Sequence, residues 1–503
     1  MFKLNYCHDT FQPSSISASL YGLQNFTSEK SQVRHILAFF TPKISDIELF
    51  SPEEISRCLY GLNTMNSDCV EVENLLNEYR LQLYKIINSG QQFDSTSIGL
   101  SFNGLLNMNI ENAAVKEIIA QLTSRIRKCS DNFSFSSISS ILYALQNHGN
   151  KEKIINDLLS VLNSCLCDIT SGEIDESSVC ISFYGLQNMP DQDPILLLLL
   201  HTLYNKITSR ACTFLTNREI SNILYGMQSM SASSDEVKNI LNICKESLEH
   251  SAECKNFFSV NELTETIFGL QSMSSEYTAV VDLVESILPH IKTLGGGGGG
   301  GEKRGDRTPQ DEVEIIFSSD DIGMILFGIQ NMNSDEERVI SLLEIINSKI
   351  LNTTSSFSLK FSKQDILLSL KAFSFLSSDH PVVRKLISFL IKKVRGMPEK
   401  LSLQEYCLVM ESFKRLNSSH TEVTGLLSAL RGKLDPPPPP PASTNNAGGL
   451  SADHYSSLLF GLQYMSASHE EVKLVLELAL KYMREDGDYY YIYHPILFKR
   501  LHL

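Results

Sequence analysis

A chain of 503 residues with 42% hydrophobic and 20% charged residues has the composition of a packed protein, which excludes a disordered chain and one made of membrane spans. Its longest apolar run, 195–200, is far short of the roughly 20 residues a bilayer crossing needs. The formal charge of −15 gives an acidic field that opposes phosphate backbones unless basic residues are gathered on one surface.

The first residues carry no apolar signal region and no Arg-rich amphipathic stretch, so they assign no compartment. From about Ser15 a motif starts to recur. Leu20-Tyr21-Gly22-Leu23-Gln24-Asn25-Phe26 returns as Leu59-Tyr60-Gly61-Leu62-Asn63-Thr64-Met65 and continues to Leu459-Phe460-Gly461-Leu462-Gln463-Tyr464-Met465. The central small residue falls at Gly22, Gly61, Gly104, Ala144, Gly185, Gly226, Gly269, Gly328, Ala372, Ser412 and Gly461, in steps of 39, 43, 40, 41, 41, 43, 59, 44, 40 and 49. A period of roughly 40 residues is the signature of stacked supersecondary units.

The two long steps contain low-complexity inserts. The expected organisation is therefore repeats one to seven in 1–294, a Gly-rich charged insert at 295–312, repeats eight to ten in 313–434, a Pro-rich insert at 435–449, and a last repeat with a tail at 450–503.

Within a repeat, the first helix, A, has apolar residues six and two before the small residue and one after it, as in Ile55, Leu59 and Leu62. Ser51-Pro52-Glu53-Glu54 offers an N-cap, a proline at the first helical position and a capping-box glutamate; Asp94, Ser259 and Ser402 are matching starts. A polar turn such as Asn66-Ser67-Asp68 follows. The second helix, B, repeats the three-and-four spacing in Val237, Ile240, Leu241, Cys244 and Leu248. One hairpin buries too little surface to stand alone, so the expected fold is all-α, an α-solenoid of about eleven two-helix repeats with a concave face.

Three columns of helix A lie off its apolar stripe. The aromatic before the small residue (Tyr21, Tyr60, Tyr143, Tyr184, Tyr225, then Phe268, Phe327 and Phe460) is expected either to pack between A helices or to stack bases. The short polar residue three after it (Asn25, Thr64, Asn107, Asn147, Asn188, Ser229, Ser272, Asn331) is expected either to cap and face water or to read base edges. Gln24, Gln146, Gln187, Gln228, Gln271, Gln330 and Gln463 are expected to form a ladder of amides from unit to unit. A glycine inside a helix costs about 0.5–1 kcal/mol against alanine, and close approach of adjacent A helices is the expected reason for it. Repeats nine and ten drift, with Lys371, Lys414 and Arg415 entering the columns.

No nucleophile motif, phosphate-cradling loop or zinc-ligand spacing occurs, so no catalysis, cofactor, metal or small-molecule substrate is expected. Cys58, Cys180 and Cys407 sit on apolar helix faces, as core residues rather than disulfide partners.

The segment Thr216-Asn217-Arg218-Glu219-Ile220-Ser221-Asn222-Ile223-Leu224-Tyr225-Gly226-Met227-Gln228 resembles the first helix of octotricopeptide and heptatricopeptide repeats, which are related to the FAST-kinase and RAP-domain groups. The likeness runs from about Ser15 to Met483, with Tyr-Gly where the family has Trp or an aromatic-Ala centre. It implies sequence-tuned binding of single-stranded RNA along the concave face, in a mitochondrion or plastid, with the tyrosine and Asn/Ser columns as contacts. The acidity of the chain and its termini, with neither a visible presequence nor a RAP domain, depart from that pattern. The alternative is a protein-interaction scaffold of HEAT or armadillo type, favoured by the same acidity and by the uniform columns.

Overall fold

Residues 11–169, 174–210, 214–294, 317–356, 359–435 and 451–486 are described by the structure, a computed structural model. They form 22 helices and no strand. Repeat one pairs α1 (Pro13–Tyr21) with α2 (Ser31–Ser45), and the alternation continues through α3 (Pro52–Tyr60), α4 (Val70–Asn88), α5 (Ser95–Asn103), α6 (Ala113–Ile126), α7 (Phe135–Tyr143), α8 (Lys153–Asp168), α9 (Glu176–Tyr184), α10 (Pro194–Thr208), α11 (Asn217–Gly226) and α12 (Asp235–Glu253). It resumes with α13 (Val260–Phe268), α14 (Thr278–Thr293), α15 (Ser319–Gly328), α16 (Glu337–Ser356), α17 (Lys363–Lys371), α18 (Pro381–Gly396), α19 (Leu403–Glu411), α20 (Thr421–Arg431), α21 (Ala452–Gly461) and α22 (Glu470–Asp486). The Gly-rich insert lies outside the described residues, as does the Pro-rich insert apart from Asp435.

The chain divides into two compact units, 1–240 and 241–503. In the first, each A helix from α1 to α11 packs on the A helix of the repeat before it, and α2 to α10 form the parallel row of B helices. In the second, α13 to α21 and α14 to α22 repeat this arrangement. Each unit is therefore an α-solenoid stack, its core running between the two rows.

The residue ten before the small one starts helix A throughout. Ser51 accepts from the Glu54 N–H at 3.2 Å while the Ser51 N–H donates to Glu54 Oε2 at 2.9 Å. Asp94, Ser134, Asp175, Thr216, Ser259, Ser318, Ser362 and Ser402 cap their helices at the same position. Each such cap stabilises its helix by about 1 kcal/mol.

The end of helix A differs from the expectation of a mid-helix glycine. The helix stops at the aromatic or at the small residue itself, and the chain continues in i→i+3 bonds: Leu62 N–H donates to Leu59 O at 2.9 Å and Met65 N–H to Leu62 O at 2.8 Å. This is 3₁₀ winding, in which residues three apart eclipse. The residue three after the glycine therefore stands over the glycine, on the side that meets the preceding repeat.

The glycines keep right-handed backbone angles, with φ of −59° at Gly61 and −65° at Gly185, so a left-handed turn is not the reason for them. A methyl group at Gly61, Gly104, Gly185 or Gly226 would overlap the carbonyl of Leu20, Leu59, Leu142 or Phe183 on the preceding A helix. Gly328 and Gly461 meet Ile267 and Met410 in the same way within the second unit. Gly22, in the first repeat, meets only its own helix.

B helices are tied end to side. Gln82 Nε2 donates to the carbonyls of Ile44 (3.0 Å) and Ile47 (2.9 Å) at the end of α2. Lys206 does the same for Ile169, His290 Nε2 for Leu248, Lys349 for Lys292, and Lys433 for Met397. Unsatisfied carbonyls carry the negative end of the helix dipole, so a lysine is the favoured partner.

Candidate functional site

The three columns singled out above turn out to be the seams between repeats. In the aromatic column Tyr21 stacks on Tyr60 (centroids 5.5 Å apart, planes at 25°), and Tyr184 lies between Tyr143 (5.9 Å) and Tyr225 (5.2 Å, 15°). In the second unit Phe268 stands 5.8 Å from Phe327, whose other neighbour is the Lys371 ammonium at 5.4 Å. Asn103 interrupts the series in repeat three. Rings set against one another present edges rather than faces, so each such pair supplies about 0.5–1.5 kcal/mol of packing and leaves few faces open to a base.

The polar column bonds backward. Thr64 Oγ1 donates to the carbonyls of Gln24 and Phe26 at 3.1 and 2.9 Å, and Asn107 Nδ2 to Asn63 O at 2.7 Å. Asn147 Nδ2 donates to Leu106 O and Asn107 Oδ1, Asn188 Nδ2 to Gln146 O (2.7 Å), Ser229 Oγ to Gln187 O (2.6 Å) and Asn331 Nδ2 to Gln271 O (2.8 Å). Asn25 is exposed and Ser272 half-buried in the same column. A carbonyl can only accept, so the amide nitrogens of Asn147, Asn188 and Asn331 must face it; the Asn107 oxygen accepts from Asn147, while the Asn188 amide keeps its oxygen and a second N–H for a ligand and the Asn147 amide its oxygen. Asn107, Asn147 and Asn188 are exposed.

The glutamines lie beside them, Gln187 and Gln228 buried, Gln463 exposed and the others half-buried. Gln187 Nε2 donates to Gln146 O (3.2 Å), Gln228 Nε2 to Gln187 Oε1 (3.1 Å), Gln330 Nε2 to Gln271 O (3.2 Å) and Gln463 Nε2 to Lys414 O (2.9 Å). Gln24, Gln146 and Gln271 take part through their main-chain carbonyls.

A fourth seam escaped the sequence reading. The residue six after the small one accepts the backbone N–H of the next repeat: Ser67 from Asn109 (2.7 Å), Ser275 from Asn333, Ser334 from Ser377, Ser378 from Asn417 and Ser418 from Ser466 (each 2.8 Å). Ser378 is wholly buried. Its signal was present as a serine recurring at a fixed offset, hidden by the general polarity of the turn.

Burial pushes the thiols of Cys58, Cys180 and Cys407 up to about 12, which leaves them neutral packing groups. Among the described residues no group of three or more His, Cys, Asp or Glu could hold a metal ion, and no helix is long and apolar enough to cross a membrane.

Charge is segregated. Positions eight, four and one before the small residue and three after it make the outer stripe of helix A, and in repeats three to five none of them is charged. Between residues 359 and 400, by contrast, nine lysines and arginines face three carboxylates. Among the columns, Lys371 and Lys414 lie over aromatic rings, Lys414 at 3.8 Å from Phe375, and Arg415 is paired with Asp335 at 2.8 Å. That guanidinium holds the Asp335 carboxyl below its ordinary range. On α18, Lys385, Lys392 and Arg395 are exposed and make no ion pair among the described residues. No family model matches the chain, and no curated protein is significantly similar to it.

Proposed function

We propose that this chain is a non-enzymatic helical-repeat protein that binds single-stranded RNA, with a role in RNA metabolism in a mitochondrion or plastid following from its resemblance to octotricopeptide-type repeats. The observation that carries the reading is the gathering of free cations in repeat nine of an otherwise acidic chain. Phosphate needs such a surface, and the uncharged A-helix stripe does not compete for it. The Asn147 and Asn188 side-chain oxygens on that stripe suit the exocyclic amino groups of bases, which donate, and repel phosphate, which accepts.

A second reading is favoured by the same oxygens. Free acceptors in successive repeats, such as Asn147 and Asn188, also suit the N–H groups of an extended peptide, as in a protein-interaction scaffold.

Fluorescence anisotropy of the full chain with a pool of single-stranded RNAs across a salt series separates the two. Saturable binding that weakens with salt and differs between sequences supports the RNA reading, and Asn188→Ser, which keeps the backward bond as Ser229 does, then shifts base preference at one position. Absence of binding at low ionic strength overturns it in favour of the scaffold.

A further inference from the structure

The B-helix row of the second unit opens into a cleft between α16 and α18, with a wide end of about 1390 Å³ and a narrow end of about 460 Å³ that share Leu351, Pro381 and Lys385. Two features of this cleft go beyond packing.

The first is a stripe of cations. Lys385, Ser388 and Lys392 line the cleft at steps of three and four along α18, and Arg395 continues the same face beyond it, over about 15 Å of helix at 1.5 Å per residue. Lys360 enters from the facing loop. Glu399 and Glu422 at the wide end and Glu344 at the narrow end are the acids present, and none of them forms an ion pair with these lysines.

The second is the wall behind the stripe. Lys393 is held 5.1 Å from the Phe361 ring and 5.4 Å from Phe389, with its ammonium donating to Leu359 O at 3.1 Å. It is spent on the fold, which keeps the aromatic wall in place and leaves the outer lysines as the free charges.

We infer that this cleft is a binding site for a short run of RNA nucleotides, with successive phosphates on Lys385 and Lys392. A row of charges spread along two helical turns matches several phosphates in series better than a single one. The inference rests on the RNA reading above and places the phosphate contacts on the B-helix side, away from the A-helix columns.

The test compares the full chain, Lys385→Glu/Lys392→Glu, and Lys151→Glu/Lys153→Glu, whose exposed lysines lie in repeat four and whose change in net charge is the same. Each is titrated with a fluorescein-labelled mixed-sequence single-stranded RNA over a salt series, with its helicity checked by circular dichroism. The expected result is a loss of about tenfold or more in affinity, and a salt slope lower by about 2, for the first variant alone. Equal binding by all three chains overturns the cleft while leaving the RNA reading intact, and a wild-type chain that binds no RNA at low salt overturns both. Displacement of the RNA by polyglutamate at lower concentration than by unlabelled RNA assigns the cleft to an acidic peptide and also overturns the inference.

Discussion

At the scale of single residues, the small position of the motif is decided by one contact, the approach of its α-carbon to a backbone carbonyl on the preceding A helix. Gly185→Ala puts a methyl group into the Leu142 carbonyl, where backbone rather than a flexible side chain must yield. Overpacking of this kind costs about 1–3 kcal/mol. Gly22→Ala has no such neighbour, and its backbone angle suits alanine, so it is expected to be neutral or to stabilise by up to about 1 kcal/mol. Urea denaturation of the two variants checks this, and equal effects would show that close approach is not what the position serves. The glycine column was legible in the sequence, and so was the reason for it. The 3₁₀ ending was not, because nothing in the Leu-Tyr-Gly-Leu-Gln-Asn pattern distinguishes a tightened last turn from a continued α-helix.

At the scale of elements, what joins one hairpin to the next is a set of side chains bonded to main-chain groups: glutamine and asparagine at the end of helix A, serine in the turn, lysine or glutamine at the end of helix B. The turn serine is the simplest to isolate. Ser378→Ala leaves the Asn417 N–H without its acceptor in a buried seam, with an expected cost of about 1–3 kcal/mol. Ser378→Thr, which keeps the hydroxyl, is expected to cost less; thermal melts of both variants decide whether the hydroxyl or the volume matters. The positions of these columns could be read from recurrence alone. Their partners could not, since a residue at a fixed offset has the same spacing whether it faces water, a ligand or a carbonyl of the next repeat.

At the scale of the whole molecule, each unit is a row of hairpins in which a repeat touches almost only its neighbours, the Arg415–Asp335 pair across repeat nine being an exception, so damage should spread locally. In hydrogen-exchange mass spectrometry, Gly185→Ala is expected to lower protection first in α7 and α9 and the B helices beside them, with residues 241–503 holding wild-type rates. A uniform loss of protection along the chain would mean that the two units unfold as one. Charge follows the same logic of position. A net charge of −15 argued against nucleic acid when it was summed over the chain. Counted repeat by repeat, the same residues leave repeat nine basic, and a count of this kind needs only the sequence.

By itself, the sequence determined the repeat, the two-helix unit, the caps that start helix A and the need for a small residue at its end, because these depend on spacing and on steric rules local to a few residues. Only the tertiary structure decided which polar groups are already spent on holding repeats together and which remain for a ligand. That distinction turns on hydrogen bonds between residues some 40 positions apart, such as Asn188 to Gln146, and on a cleft bounded by α18, the end of α16 and the loop at 359–362.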